Sequence, residues 1–528
     1  MRAVFDRFWK YIYGANGLVL VLYFVFVFVT TLFFYDNLLP FLPLMTVAFI
    51  PLAVVISHFL IKFISKLNIK EKSASEDKSS TVLKCLLYLA PLVVYLINFW
   101  AFYPGGFSVD SVVQYNQAMT NEYNDWHPVL QTLFAFKLPL AISGGWIGSI
   151  VLFQIICFSG ALGYAFNTVL KYSNVKITVA SVLFVLLNPL IALTLMFPYK
   201  DNAFATGTVL LTAFSVRIFF SKGEWIKSNL NTVIFIVTAV CTTLFRHNAL
   251  MFTVPLVIAV CFFINRKRFL VIATSIIILF ALIKIPFFAM LGVEKPDNRQ
   301  AETLGLPLNV IAATVTYTPE RADSEILDFA YSINLRESYE KYYTYGCFDN
   351  VKYSGDTVPI EEAGRQKVLS MALRCLKASP KESLKSIFRL TGETYNPVHK
   401  YISLPLIRPY IISNLNGIEF AGNEEIMTLL LAYAMLVVDY LPQVFFIVGT
   451  MHLLMILALL SKTKLNCLKD WKKILLVLPF YFYNYSTAIL LTDVYDSIRF
   501  FAYTYCLVPL LLVLLFKQFE DSKNIING

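Results

Sequence analysis

The residues able to do chemistry fall into five short strings: YPGGFSVDSVVQYNQ at 103–117, NDWHPVLQ at 124–131, FPYKDN at 197–202, FRHN at 245–248 and DVYDSIRF at 493–500. In the first, Asp110 can act as a general base towards a hydroxyl or bind a divalent cation through oxygen. Its alternative is structural, because FSVDSVVQ can open a helix capped by Ser108 or Asp110. In the second, Asp125 and His127 flank Trp126, so they can form a base and its orienting partner or supply metal ligands, while Trp126 offers an apolar face to a sugar ring. The plainer reading makes Asp125 a helix cap ahead of Pro128 and Trp126 an interfacial anchor. Lys200, Arg246 and Arg499 suit an anionic ligand such as phosphate, which arginine grips in a bidentate manner, or else lipid headgroups. Asp201 is either a substrate contact or the partner of Lys200. Asn248, Gln114 and Gln117 can bind sugar hydroxyls, though no spacing singles them out.

The elements that must position these strings are membrane helices. Of 528 residues, 58% are hydrophobic and only 15% charged, against about 25% charged in soluble domains. That balance excludes a single soluble globule and, with 16% aromatic residues, excludes disorder. Apolar runs sit near 17–35, 38–61, 85–103, 147–165, 177–197, 203–220, 230–246, 249–264, 269–291, 442–461, 474–492 and 498–516. At about 20 residues per crossing they predict an all-α polytopic membrane protein of about 12 transmembrane helices. The net charge of +10 follows from basic cytoplasmic loops rather than from a nucleic-acid partner.

Placing both ends of the chain in the cytoplasm puts Arg2, Arg7, Lys10, the 62–84 loop, Arg266–Lys267–Arg268 and the 462–473 loop inside. The short outer connections then keep only Lys137, Lys200, Arg246 and Arg499, and all five polar strings share the outer face. Lys284, within the ninth run, is read as snorkelling to the interface, with joining the cationic cluster as its alternative. Residues 425–440 are apolar but would invert the charge pattern as a crossing, which predicts a surface or re-entrant helix. His58 and His452 are read as packing residues.

The resulting organisation is a two-span unit with a cytoplasmic linker (1–84), a membrane core (85–292) carrying the large outer loop 104–146, a mostly helical extracytoplasmic domain (293–424), and a surface helix with three further spans (425–528). Eight cysteines show no metal-ligand or redox spacing. Cys347 and Cys375 share a polar region and could pair.

The series YPGGFSVDSVVQYNQA, NDWHPV, PYKDN, FRHNAL and a C-terminal RF before the last span resembles bacterial polytopic glycosyltransferases of the GT-C superfold. It is similar in particular to an uncharacterised group with a PG–D–Q–DWHP pattern in the first large outer loop. The likeness extends more loosely to AETLGLPLNVIAAT at 301–314 and to 378–397. What it implies is a hexosyltransferase in the cell membrane, moving sugar from a polyprenyl-phosphate donor to an envelope glycan, lipid or protein at the outer face. Asp110 matches the family's acidic residue in the first outer loop, with Asp125 and His127 as supporting catalytic groups. Gln114, Trp126, Lys200, Asp201, Arg246, Asn248 and Arg499 would bind substrate, the cations holding the lipid phosphate. A DxD or DE pair is absent, so a divalent cation (magnesium or manganese, on Asp110) is left open, as are the sugar, the acceptor and the oligomeric state. The competing classes are a transporter or flippase of lipid-linked glycans, which predicts midplane charges and repeats, another envelope transferase, and a scaffold.

Overall fold

The computed structural model describes residues 15–65, 80–296, 300–397, 421–439, 448–462, 471–493, 497–501 and 503–516. Both ends of the chain, the basic linker at 66–79 and the loop at 463–470, on which the predicted orientation rests, lie outside the described residues. Among those described the chain is helical, with isolated bridges but no β-strand.

Every apolar run carries a helix. The first half comprises α1 (Ala15–Leu32), α2 (Leu42–Ser65), α3 (Thr81–Ala101), α4 (Val109–Thr120) in the 104–146 loop, α5 (Gly148–Tyr172), α6 (Val175–Leu186), α7 (Pro189–Leu195), α8 (Lys200–Phe220), α9 (Asn229–Leu244), α10 (Leu250–Cys261) and α11 (Arg266–Leu282). Six helical stretches are long and apolar enough to cross a membrane, or seven if the bent pair α6–α7 is one span. That pair turns by 57° because Pro189 has no N–H to continue the ladder, and Asn188 restarts the helix by capping Leu190 N at 3.0 Å. Helices α1, α9 and α10 fall in a shorter class of 10–17 apolar residues, so among the described residues length and composition support six or seven crossings, against the 12 expected.

Burial separates the bundle into centre and rim. The apolar window of α8 is 72% buried and packs on α5 around Phe166, Phe204, Leu211 and Phe214, whereas that of Arg266–Met290 is only 6% buried. Exposing so apolar a helix to water would cost about 25 cal/mol per Å², and hydrocarbon relieves that cost. These are the faces of an all-α membrane protein.

A second core belongs to the helical domain. Its helices are α12 (Gly305–Tyr317), α13 (Ser324–Ile333), α14 (Asp349–Tyr353), α15 (Val358–Ala378) and α16 (Pro380–Thr391). Leu308, Ile311 and Val315 of α12 pack with Ile326, Ile333, Val368 and Met371. Cys347 and Cys375 are both buried here and are not bonded to each other, so the pairing that sequence allowed is not made.

The last part holds α17 (Glu424–Asp439), α18 (Val448–Lys462), α19 (Trp471–Leu490), α20 (Ser497–Phe501) and α21 (Tyr503–Phe516). Helix α17 starts beside the end of α3, where Asn423 N donates to Trp100 O at 3.2 Å, and Tyr433 Oη reaches Leu187 O at the α6–α7 break at 2.7 Å. It therefore runs along the bundle rather than lying detached on its surface. His452 is buried and bonded to Asn484 Nδ2 at 2.7 Å, in keeping with packing, while His58 lies on the exposed face of α2 with its ring edge-on to Phe59.

The helical domain docks on the end of α19. A Cβ at Gly305 would collide with the Leu491 carbonyl, so only glycine lets α12 approach. Asn309 Nδ2 and Phe348 N then donate to Thr492 O at 3.0 and 2.9 Å. These bonds satisfy a carbonyl just past the helix end that has no partner in its own ladder.

Candidate functional site

The glycine pair before Asp110 builds the site. Gly105 adopts φ 112°, a left-handed value that favours glycine, and a Cβ on Gly106 would strike the Phe197 ring. The backbone can thus lie against the α7–α8 turn, with Gly106 N donating to Met196 O at 3.0 Å. Asn202 Nδ2 holds that turn through Thr194 O and Phe197 O at 3.0 and 2.7 Å, and Gln154 Nε2 also reaches Phe197 O. Two loops nearly a hundred residues apart are thereby fixed together, bringing the start of α4 to the start of α8.

Ser108 takes the capping role, accepting from Ser111 N, which leaves the Asp110 side chain to face outwards from the first turn of α4. Its Oδ2 receives Arg499 Nη1 at 3.2 Å and lies 3.8 Å from Lys200 Nζ. Both cations converge on one oxygen, and Oδ1 has no hydrogen-bond partner among the described residues. Burial pushes the Asp110 carboxyl upward, but the Lys200 ammonium and the Arg499 guanidinium, with a smaller part from His127, hold it well below the usual carboxylate range. Asp110 is an anion through the physiological range.

Behind this cluster sits a buried pair. Arg246 Nη1 binds Asp201 Oδ1, and the guanidinium lies 4.5 Å from the Phe500 ring centroid. Arg246 Nε donates to Asn248 Oδ1 at 2.6 Å, and Asn248 Nδ2 to Thr487 Oγ1 at 3.1 Å. Asp201 therefore pairs with Arg246 and not with Lys200 as the sequence suggested, because Lys200 is drawn to Asp110. A buried pair of this kind fixes geometry, and losing one member is costly.

The second string divides. Asp125 does not orient His127: its Oδ2 accepts from Lys284 Nζ at 2.6 Å, which also corrects the snorkelling reading of Lys284. Backbone bonds seal Asp125 further, with Asp125 N donating to Glu294 O and Glu294 N to Tyr123 O, both at 2.9 Å. Two π-helical turns, Thr132–Lys137 and Ile283–Phe287, flank this contact. His127 is buried, with Nδ1 unbonded among the described residues. Burial, reinforced by Lys200, lowers its pKa to about 4 despite the pull of Asp110, so it is neutral near pH 7. Gln114 is a clamp rather than a sugar ligand: it bonds Gln131 Oε1 and Thr132 Oγ1, joining α4 to the π-helical turn. Gln117 likewise bonds a backbone carbonyl, that of Asn124.

A cavity of about 240 Å³ opens over Asp110, lined by Trp126, Lys200, Arg246, Asn248 and Arg499 from the expected set. Asp125, His127, Gln114 and Asp201 lie outside its wall. The wall also includes residues that sequence reasoning passed over: His247, Thr487, Asp493 and Phe500 from the bundle end, and Glu302, Thr303, Asp349 and Tyr353 from the helical domain. His247, Asp493 and Phe500 lay inside the quoted strings. Glu302 and Thr303 stood within the AETLGLPLN segment, but nothing in the amphipathic helices marked Asp349 or Tyr353. Among the described residues no three His, Cys, Asp or Glu side chains form a metal-ligand group. Asp110 Oδ2 is held instead by the two cations Lys200 and Arg499.

No family model, curated protein or solved structure matches this chain.

Proposed function

We propose that this protein is an inverting membrane glycosyltransferase of GT-C type, moving a sugar from a polyprenyl-phosphate donor to an envelope glycan, lipid or protein at the extracytoplasmic face of a bacterial cytoplasmic membrane. The observation that carries the reading is an ionised carboxylate, Asp110, set between two cations at the floor of a cavity that opens where the bundle meets the helical domain.

The chemistry fits that arrangement. A polyprenyl chain lies among apolar helices, and its phosphate comes to the level of the helix ends, where Lys200 and Arg499 neutralise it. Asp110 Oδ1 takes the proton of the acceptor hydroxyl as that oxygen bonds to the anomeric carbon. The bond from anomeric carbon to phosphate oxygen breaks, its electron pair staying on the departing polyprenyl phosphate. Cations already in place stabilise that charge without reorganising. Asp201, through Arg246, and Asn248 hold the wall rather than touch the reacting atoms.

The test is sugar transfer from a panel of radiolabelled polyprenyl-phosphate sugars by the full chain in nanodiscs, with native membranes as acceptor. Transfer by the wild type, lost in Asp110→Asn while donor binding persists, supports the reading. Movement of the labelled lipid across vesicles without any transfer would replace it with the flippase reading.

A further inference from the structure

The cavity has two chemically different sides. The bundle side carries Lys200, Arg246 and Arg499, and the side given by the helical domain carries Glu302, Thr303, Asp349 and Tyr353. The cationic side is accounted for by a phosphate. The opposite side is built around Lys352, whose side chain is only 1% exposed and whose Nζ lies 2.7 Å from Glu302 Oε1 and 2.8 Å from Asp349 Oδ1. This buried ammonium fixes both carboxylates from behind and sits 4.5 Å from the Tyr353 ring centroid. One cation between two carboxylates leaves a net negative charge on this wall. Tyr353 itself is 74% exposed beside the buried Val351 and Lys352, so the ring, backed on one face by the Lys352 ammonium, keeps its other face open at the cavity wall.

An aromatic face beside carboxylate oxygens matches a sugar ring, whose C–H face stacks on the aromatic while its hydroxyls donate to acceptor-only carboxylates. The same carboxylates repel an anion, and specificity of this kind comes from the repulsive element as much as from the attractive one. We propose that Tyr353, Glu302 and Asp349 form the acceptor subsite, and that it takes an uncharged sugar ring and rejects anionic ones. The term acceptor rests on the glycosyltransferase reading; the sugar-binding claim does not. Gly305 and Asn309 hold this wall to Leu491 and Thr492, next to Asp493, so the helical domain meets the bundle at the cavity.

The experiment uses the full chain in lipid nanodiscs, free of sugar-based detergent, titrated with p-nitrophenyl glucoside and p-nitrophenyl glucuronide and followed by saturation-transfer NMR and calorimetry. The glucoside is expected to bind at least about tenfold more tightly than the glucuronide, and Tyr353→Ala to weaken glucoside binding by about tenfold, as loss of one stacking contact implies. Tyr353→Phe should restore it, and Glu302→Gln should bring the glucuronide closer to the glucoside. Because Tyr353 is exposed, its truncation leaves the core intact, and circular dichroism checks this. Equal binding of the two glycosides, or no effect of Tyr353→Ala, overturns the proposal. Glucoside selectivity in a chain that transfers nothing from any polyprenyl-phosphate donor would retain the sugar subsite and count against the glycosyltransferase reading instead.

Discussion

Asp110 and Asp125 occupy the same loop between α3 and α5, each near a helix start and each paired with a lysine, yet their surroundings make them different groups. The Asp110 side chain is 32% exposed at the cavity floor, and its two cations come from the starts of α8 and α20. The Asp125 side chain is 12% exposed, tied to Lys284 and sealed by the backbone bonds to Glu294. Having a basic partner does not set a carboxylate's role. What sets it is whether an oxygen remains directed at a space that a substrate can fill.

The largest expected effect comes from removing the base on one side of that comparison. Asp110→Asn should lower the transfer rate by about 10²–10⁴-fold, the usual contribution of positioned proton transfer, with donor affinity within a few-fold of the wild type. Breaking the buried pair comes next: Arg246→Ala leaves Asp201 uncompensated and should destabilise the chain by about 3–5 kcal/mol, read as an earlier thermal unfolding transition. Gly106→Ala forces a methyl against Phe197 and should cost about 1–3 kcal/mol, with transfer falling as α4 moves away from α8.

A smaller and sharper effect lies in the pH profile. Because the folded-state pKa of Asp110 is lowered, its carboxylate stays ionised as pH falls through the ordinary value of about 3.9, so the acid limb of transfer lies below that value. Lys200→Gln removes the larger of the two opposing charges and should move that limb upward, towards the ordinary carboxylate value. The smallest effect on transfer belongs to the other half of the comparison: Asp125→Asn weakens a mostly buried pair with Lys284 and should cost about 1–3 kcal/mol, yet change the transfer rate little.

Much of the fold was readable before any coordinates. The apolar runs located the helices because a continuous hydrophobic stretch has no other stable form in hydrocarbon. The five strings were legible as one site because the predicted topology left Lys200, Arg246 and Arg499 as rare cations on short connections at one face, and residues of all five line one cavity. The pairings were not legible. Lys200 and Asp201 are adjacent in sequence, yet one bonds back to α4 and the other inward to Arg246, since successive helical residues point in different directions. Asp125 found Lys284 rather than His127 because its backbone is bridged to Glu294, just past the helical stretch that carries Lys284, a long-range contact that local spacing does not show. Tyr353 and Asp349 reach the cavity only through docking of the helical domain on Thr492, a contact with no trace in local periodicity. Gly305 carried a signal that was available, as a glycine opening an otherwise bulky apolar helix, but its partner was not.

The most direct measurement is single-turnover transfer from a polyprenyl-phosphate sugar by wild type, Asp110→Asn and Asp125→Asn side by side, with donor-binding isotherms for each. The account predicts equal donor binding in all three, near-wild-type transfer in Asp125→Asn, and transfer in Asp110→Asn reduced by about 10²-fold or more. Equal rates for the wild type and Asp110→Asn, or a larger loss in Asp125→Asn than in Asp110→Asn, would contradict it.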